Sequence, residues 1–227
     1  MAEKFRIAIV GSGPAGLSAA SHAAKLGLSH VLLEKTDHLS DTIYRYQKGK
    51  HVMATPAQLV LRADLDFAAG KREAVLGTWN DGAARAKVNV RYNAEAVGIT
   101  GEKGDFAIKL ASGDTIATET VVLAIGTQGN PNLLRCEGGD LPHVQYQLDD
   151  PAEYVDENIV VVGGGDAGIE NALGLAADPA QGNIVTILNR TPDFARAKEA
   201  KAAAAVQAKE AKKQGTKIRK NIERGVN

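Results

Sequence analysis

The stretch Phe5-Arg-Ile-Ala-Ile-Val10, followed by Gly11-Ser-Gly13-Pro-Ala-Gly16, decides the fold of this chain. The apolar, β-branched run predicts a short buried strand, and the G-x-G-x-x-G spacing after it predicts a tight turn into a helix. In such a turn the first glycine allows the bend, the second lets a pyrophosphate approach the backbone, and the third lets helix and strand pack closely. The stretch therefore predicts a dinucleotide site at the start of a helix.

The residues after this first fingerprint fit the same prediction. Leu17 to Leu26 continue as an Ala-rich helix, and His30-Val-Leu-Leu33 reads as a second strand that ends at Glu34. Glu34 lies 18 residues after Gly16, near where a carboxylate accepts hydrogen bonds from a ribose. The candidate cofactor-binding residues of this site are Gly11, Ser12, Gly13, Pro14, Ala15, Gly16, Glu34 and Lys35.

A second fingerprint, Gly163-Gly-Gly165-Asp-Ala-Gly168, begins 152 residues after the first and follows the apolar run Asn158 to Val162. We expect a helix from about Ala167 to Ala177 and a strand from Asn183 to Leu188. Arginine rather than a carboxylate follows that strand, which favours NADPH because a guanidinium pairs well with a phosphate. Asp193 could still orient a ribose, so NADH is the alternative. The candidates here are Gly163, Gly165, Asp166, Ala167, Gly168, Glu170, Asn189, Arg190 and Arg196.

The chain between the fingerprints changes character. Residues 40–76 look polar and irregular, whereas the chain from Lys87 shows short alternating strands separated by glycine turns, as in a β-meander. Thr120 to Ile125 reads as a further buried strand, ending in Gly126. The predicted fold class is α/β, with two Rossmann-like dinucleotide-binding units of the three-layer ββα type and a small β-meander in the first. We predict an FAD-binding domain at 1–125 and an NAD(P)H-binding domain at 126–227.

Composition limits the partners and the chemistry. The formal net charge of the 227 residues is zero, which gives no indication of a nucleic-acid partner, and no apolar run approaches the ~18 residues that span a bilayer. The basic segment 196–227 is interpreted as a solvated helix rather than a polyanion-binding tail. Cys136 is the one cysteine, which excludes an internal disulfide or a C-x-x-C pair and fits a reducing cytoplasm. No metal site and no catalytic acid, base or nucleophile is predicted.

The order of these features resembles the FAD-dependent pyridine nucleotide-disulfide oxidoreductases, in the low-molecular-weight thioredoxin reductase-like branch. The segment Asp41 to Tyr46 is similar to the bacillithiol-disulfide-reductase-like subgroup. The resemblance implies FAD at the first fingerprint and NADPH at the second, and it implies a homodimer, since family members often pair. It also places two further sets of residues near FAD. They are Glu95, Ala96 and Val97 near the adenine, and Ala124, Gly126 and Thr127 closing the site.

Three departures from the family pattern restrict the expected chemistry. Val155-Asp-Glu-Asn158 stands where thioredoxin reductases carry C-x-x-C, so we expect no dithiol relay. Ala15 replaces the cysteine that the bacillithiol-like subgroup carries in its first fingerprint, so bacillithiol chemistry by that thiol is not expected. The final segment bearing a Gly-Asp that contacts flavin in the family is missing before Asn227. We therefore expect either a fragment of a longer flavoprotein or a shortened relative whose FAD site is incomplete or built with a partner. In either case we expect weak FAD affinity or association.

The sequence thus predicts a flavin-dependent NAD(P)H oxidoreductase that passes hydride from NADPH to FAD and electrons to an unidentified acceptor. Two alternatives stay open. The first is a flavin monooxygenase, for which Leu141 to Tyr146 offers a histidine but not the aromatic-glycine lead of the signature. The second is a nucleotide-binding regulatory or interaction protein without turnover, since fold alone does not fix function.

Overall fold

A computed structural model describes residues 4–53, 62–128 and 132–190 of the chain. By their contacts the residues form two compact units, which divide between Gln147 and Leu148. The predicted division into cofactor-binding domains at residue 125 concerns function and stays a prediction. Arg196 and the basic segment 196–227 lie outside the described residues.

The first unit is built on one mixed six-stranded sheet. The described part of the unit has eight strands, six of them in this sheet: β1 (Lys4–Val10), β2 (His30–Leu33), β3 (His51–Val52), β4 (Gly70–Lys71), β5 (Val90–Arg91), β6 (Ala96–Glu102), β7 (Asp105–Leu110) and β8 (Thr115–Leu123). Its helices are α1 (Pro14–Lys25), α2 (Asp41–Tyr44) and α3 (Arg72–Arg85). The sheet order is β5-β2-β1-β8-β7-β6, and β3 and β4 pair separately. The strands β5, β2, β1 and β8 are parallel, whereas β6, β7 and β8 form an antiparallel meander.

Strand β8 joins the meander to the parallel strands. Its residues 115–118 pair with β7, and its residues 117–123 pair with β1. The expectation of two separate strands here is wrong, because no glycine or proline between Thr118 and Thr120 interrupts the extended backbone. The expectation of a buried end is also wrong, since Leu123 and Ile125 are 61% and 69% exposed.

Two apolar clusters lie on the opposite faces of the parallel strands. On one face Ile9 and Leu32 pack against Leu17 of α1 and Trp79 of α3. On the other face lies the second cluster, which contains residues of the meander. Its members are Phe5, Ala8, Val31, Leu33, Ala94, Ile108, Leu110 and Ile116. Because successive strand residues point to opposite faces, the apolar runs of β1 and β2 supply both clusters.

Helix α3 was not predicted from the sequence. Its Val75, Trp79 and Ala83 are buried in the cluster that α1 also joins. The helix contains Gly77 and Gly82 together with Thr, Asn and Asp, all weak helix formers, so local propensity gives little sign of it. Tertiary packing of its apolar side chains overrides that propensity. The prediction of irregular chain over residues 40–76 is wrong from Arg72 onward, and also at the short elements α2, β3 and β4.

The second unit contains a parallel β-α-β motif. Strand β9 (Asn158–Val162), helix α4 (Asp166–Leu175) and strand β10 (Ile184–Leu188) follow one another, and Leu188 pairs with Val162. Helix α4 covers one face, where Ile169 packs against Ile187. Within this unit the side chains of β9 alternate between exposed and partly buried, and Val160 is 60% exposed, so the interpretation of this apolar run as a buried strand is wrong.

The predicted fold class is confirmed. Both units follow the Rossmann-like pattern of parallel strands joined through a helix, and the first carries the expected β-meander. Among the helices of the described ranges, none is long and apolar enough to cross a membrane.

Candidate dinucleotide-binding sites

The first fingerprint forms the turn between β1 and α1. Gly11 has φ +98°, a left-handed value that favours glycine, and its position faces the carbonyl oxygen of Ala124. A methyl group built on Gly16 would overlap the carbonyl oxygen of Gly11, so helix and turn are in close contact. By contrast, a methyl group built on Gly13 would have no atom within 4 Å. The turn is thus tight at its first and third glycines and open at its second.

The open glycine also begins the helix. Gly13 is the N-cap of α1 and Pro14 opens the first turn, with no side chain capping the helix. Pro14 and Ala15 are exposed, whereas Ser12 and Gly16 are buried. The first amide groups of a helix lack partners within it and carry partial positive charge, which suits an anion. The geometry of this turn fits the pyrophosphate of a dinucleotide.

The ends of three parallel strands meet at this turn. The Gly11 amide donates to the Leu33 carbonyl at 2.9 Å, and the Ala124 amide donates to the Val10 carbonyl at 2.8 Å. Two predicted groups are therefore brought to the first fingerprint, namely Glu34 after β2 and the Ala124 segment after β8. Gly126 has φ +66°, and Thr127 is exposed beyond it.

The predicted adenine segment also lies close to Glu34. The Ala94 amide donates to the Glu34 carbonyl at 2.8 Å, and Ala96 and Val97 then begin β6, with Val97 56% exposed. Lys35, next to Glu34, is exposed.

Glu34 is buried, with 5% of its surface exposed, and its carboxylate is held by donors from two residues. The Ser12 amide and hydroxyl donate to Oε2 at 3.1 and 2.5 Å. The Thr36 amide and hydroxyl contact Oε1 at 3.0 and 3.1 Å. Burial opposes ionisation of this carboxyl, but the Ser12 and Thr36 donors outweigh it and lower the pKa of Glu34.

Two neighbours of Glu34 were missed by sequence reasoning. Ser40 is 1% exposed, and its amide donates to the Ser12 hydroxyl at 2.9 Å while its own hydroxyl donates to the Ser12 carbonyl at 3.0 Å. Thr36 supplies the donors described above. No motif predicts Ser40, because its contacts depend on a left-handed backbone, φ +58°, that serine seldom adopts.

We expect Glu34→Gln to lower the free energy of unfolding by about 2 kcal/mol at pH 7, because the amide places a donor among donors. The lowered pKa means that the ionised carboxylate stabilises the fold above its ordinary pKa of about 4.3, and this stabilisation is lost as pH falls through the lowered value. The gap between wild type and variant should therefore shrink in acid. Urea unfolding at several pH values measures it, with the exposed Glu102→Gln as control. A gap that does not change with pH would contradict the assignment.

The second fingerprint repeats the geometry of the first. Gly163 has φ +115°, a methyl group on Gly168 would overlap the Gly163 carbonyl oxygen, and the position of one on Gly165 meets no atom within 4 Å. Gly165 is the N-cap of α4, whose first turn carries Asp166 and Ala167. Glu170 follows one turn later and is half-buried.

The end of β10 is tied to this fingerprint. The Gly163 amide donates to the Leu188 carbonyl at 2.9 Å. Asn189 and the exposed Arg190 follow directly, at the strand edge where the fingerprint turn begins. Arg196, the third residue predicted after Asn189 and Arg190 at this end of the site, lies outside the described residues.

Leu141 to Tyr146, the segment with a partial monooxygenase signature, belongs to a connection in the first unit. The Tyr146 hydroxyl accepts the Leu134 amide at 2.7 Å and donates to the Gly139 carbonyl at 3.2 Å. Cys136, between these residues, is exposed. In the described part of the chain, no group of three or more His, Cys, Asp or Glu side chains is placed to hold a metal ion.

Comparison with known proteins shows which family this chain resembles. The family model described as pyridine nucleotide-disulphide oxidoreductase matches residues 8–213. A ferredoxin–NADP reductase of Ignicoccus hospitalis is 30% identical over 82% of this chain and 56% of that protein. The bacilliredoxin reductase Bdr of Bacillus subtilis is 27% identical over 82% of this chain and 57% of that protein. The chain thus spans little more than half the length of these two relatives.

A solved structure shows the same fold. The bacillithiol disulfide reductase Bdr of Staphylococcus aureus superposes with a TM-score of 0.76 at 23% identity, over 92% of this chain and 65% of that one. Flavin monooxygenase from Stenotrophomonas maltophilia superposes with a TM-score of 0.62 at 17% identity, over 83% of this chain and 58% of that one. The fold is therefore shared by proteins with different reactions.

Proposed function

Because the chain belongs to the pyridine nucleotide-disulphide oxidoreductase family, we propose that it takes part in electron transfer from NADPH through FAD to an acceptor. Membership confirms the resemblance drawn from the fingerprints. The observation that carries the proposal is the repeated geometry of the two turns, each open at its second glycine and tight at its third. Two such turns in one chain fit two dinucleotides, and FAD and NADP(H) are the cofactors that the family uses.

The two sites divide the binding work between different side chains. At the first, the Gly13 turn would hold the pyrophosphate, Glu34 a ribose hydroxyl, and the segment from Ala124 to Thr127 the adjoining edge of FAD. At the second, the Gly165 turn would hold the pyrophosphate of NADPH and Arg190 its extra phosphate. When bound, the two cofactors supply hydride transfer, while the protein supplies orientation and electrostatics.

We propose that the acceptor is a redox partner. The named relatives differ here, since one is a ferredoxin–NADP reductase and another a bacilliredoxin reductase. With Cys136 as the single cysteine of the 227 residues, two thiols of this chain cannot relay electrons as a pair. We propose that electrons leave the flavin directly, in a reducing cytoplasm.

Anaerobic titration of the purified chain with FAD tests the proposal. We expect the flavin spectrum to change when FAD binds in the titration, and we expect NADPH to bleach the visible flavin bands. If flavin is bound but neither NADPH nor NADH bleaches it, the chain binds nucleotides without turnover, and the proposed function is wrong. Insertion of oxygen into an amine or ketone at the expense of NADPH would replace it by the monooxygenase alternative.

A variant of Arg190 tests the nucleotide preference in the same assay. Arg190→Ala should raise the NADPH concentration for half-bleaching about tenfold and leave the NADH concentration unchanged, since only NADPH carries the extra phosphate. Arg6→Ala, an exposed arginine on β1, is the control for the change in charge. An equal effect on both nucleotides would remove Arg190 from the phosphate site.

A further inference from the structure

The hydrogen bonds around Glu34 have fixed directions. The Ser40 amide can only donate, so the Ser12 hydroxyl accepts from it at 2.9 Å. That hydroxyl has one proton, and it is directed to Glu34 Oε2 at 2.5 Å. The Ser12 hydroxyl therefore donates to Glu34, because the ionised carboxylate has no proton to give and can only accept.

Three of the four acceptor positions on the carboxylate are permanently filled. A carboxylate offers about four lone-pair positions, two on each oxygen. On Oε2 both are taken, by the amide and the hydroxyl of Ser12. On Oε1 one is taken by the Thr36 amide at 3.0 Å. The remaining position on Oε1 faces the Thr36 hydroxyl at 3.1 Å.

The Thr36 hydroxyl has two acceptors for its one proton. Besides Glu34 Oε1 at 3.1 Å, it lies 2.9 Å from the His38 carbonyl oxygen. It can donate to only one of them at a time. When another donor reaches Oε1, the Thr36 hydroxyl can turn to the His38 carbonyl without losing a hydrogen bond.

The filled positions cannot readily be freed. Ser40 is held by two hydrogen bonds to Ser12, is buried, and has a left-handed backbone that fixes its amide. The Glu34 backbone is held on both sides, by the Arg91 carbonyl at 3.0 Å and the Ala94 amide at 2.8 Å. Moving the Ser12 or Thr36 amide would leave a buried polar group unpaired, which is costly.

We propose that Glu34 offers a single acceptor position to a ligand, so that the first site reads one ribose hydroxyl rather than the neighbouring pair, with the Thr36 hydroxyl occupying that position until the ligand binds. This inference rests on the proposed function, because it assumes that an adenine dinucleotide binds at the first fingerprint. It makes Ser12 a positioning residue and Thr36 a residue that competes with the ligand.

Competition with FAD tests the inference. ADP, 2′-deoxy-ADP and 3′-deoxy-ADP are each used to displace FAD from the full chain, and released flavin is followed by its fluorescence. We expect one deoxy analogue to compete about tenfold more weakly than ADP, as for loss of one hydrogen bond to a charged group, and the other to match ADP within about twofold. In Glu34→Gln the difference between the analogues should disappear.

Thr36 variants supply a second measurement that does not depend on Glu34→Gln folding. In Thr36→Val the analogue lacking the read hydroxyl leaves Oε1 unfilled, so its deficit relative to ADP should grow by about threefold or more. Thr36→Ser keeps the hydroxyl and should behave as wild type. A residue that only supports the loop would shift all three ligands alike.

The outcomes separate the two proposals. Weaker competition by both deoxy analogues, or by neither, overturns the single-hydroxyl readout while FAD binding stands. A Thr36→Val deficit equal to that of wild type overturns the role of Thr36. A wild-type chain that binds neither FAD nor ADP overturns the proposed function itself, and this inference with it.

Discussion

Alanine in place of Gly16 is expected to lower the free energy of unfolding of the first unit by about 3 kcal/mol, as for severe overpacking. The added methyl group would overlap the Gly11 carbonyl oxygen and approach the Ala124 side chain at 3.3 Å. Gly11 cannot yield, because its own left-handed backbone already faces the Ala124 carbonyl. Relief would require β1, α1 and β8 to separate.

Urea unfolding followed by tryptophan fluorescence measures this change. Trp79 is the only tryptophan in the chain, and it is buried in the cluster that Leu17 of α1 joins. Gly13→Ala is the matched control, because it adds the same methyl group three positions before Gly16, where no atom lies within 4 Å, and should change stability by less than about 0.5 kcal/mol. Equal stability of the two variants would refute the assignment of Gly16 as the packing glycine.

The same Gly13→Ala variant should weaken FAD binding about a hundredfold, as expected for steric overlap with a bound pyrophosphate. Gly13 has φ −66° and ψ −177°, which alanine adopts without strain, and no protein atom occupies the space the methyl group would fill. The substitution thus removes ligand space without disturbing the fold. Equilibrium titration of FAD measures the loss.

Gly165→Ala is the complementary control for this binding experiment. It makes the equivalent change at the second fingerprint, whose space is also open. We expect it to weaken NADPH binding and to leave FAD affinity unchanged within about twofold. If Gly13→Ala left FAD binding intact, the first turn would not be the pyrophosphate site.

The elements around the two fingerprints could be predicted because local and long-range requirements agree there. The same strand-turn-helix geometry is indicated by the apolar runs of β1, β2 and β9 and by the glycine spacing after β1 and β9. Helix α3 could not be predicted, since its residues favour a helix only when Trp79 and its neighbours are packed.

The candidate site shows the same division between pattern and packing. Glu34 was predictable from its distance to the first fingerprint, but the occupation of its carboxylate was not. That occupation depends on Ser40, a non-glycine residue in a left-handed conformation, reaching Ser12 across 28 positions of sequence. Such a contact has no periodicity or motif, and it follows only from the completed fold.

The double pairing of β8 also sets an order for biogenesis. Strand β1 can pair with β2 once Leu33 has been made, but its other partner, β8, ends at Leu123. The Ala124 carbonyl that Gly11 faces comes one residue later. During translation, the turn at the first fingerprint is therefore completed only after Ala124 has left the ribosome, and pairing across so long a loop is slow. We expect that a nascent chain ending before Ala124 does not bind FAD.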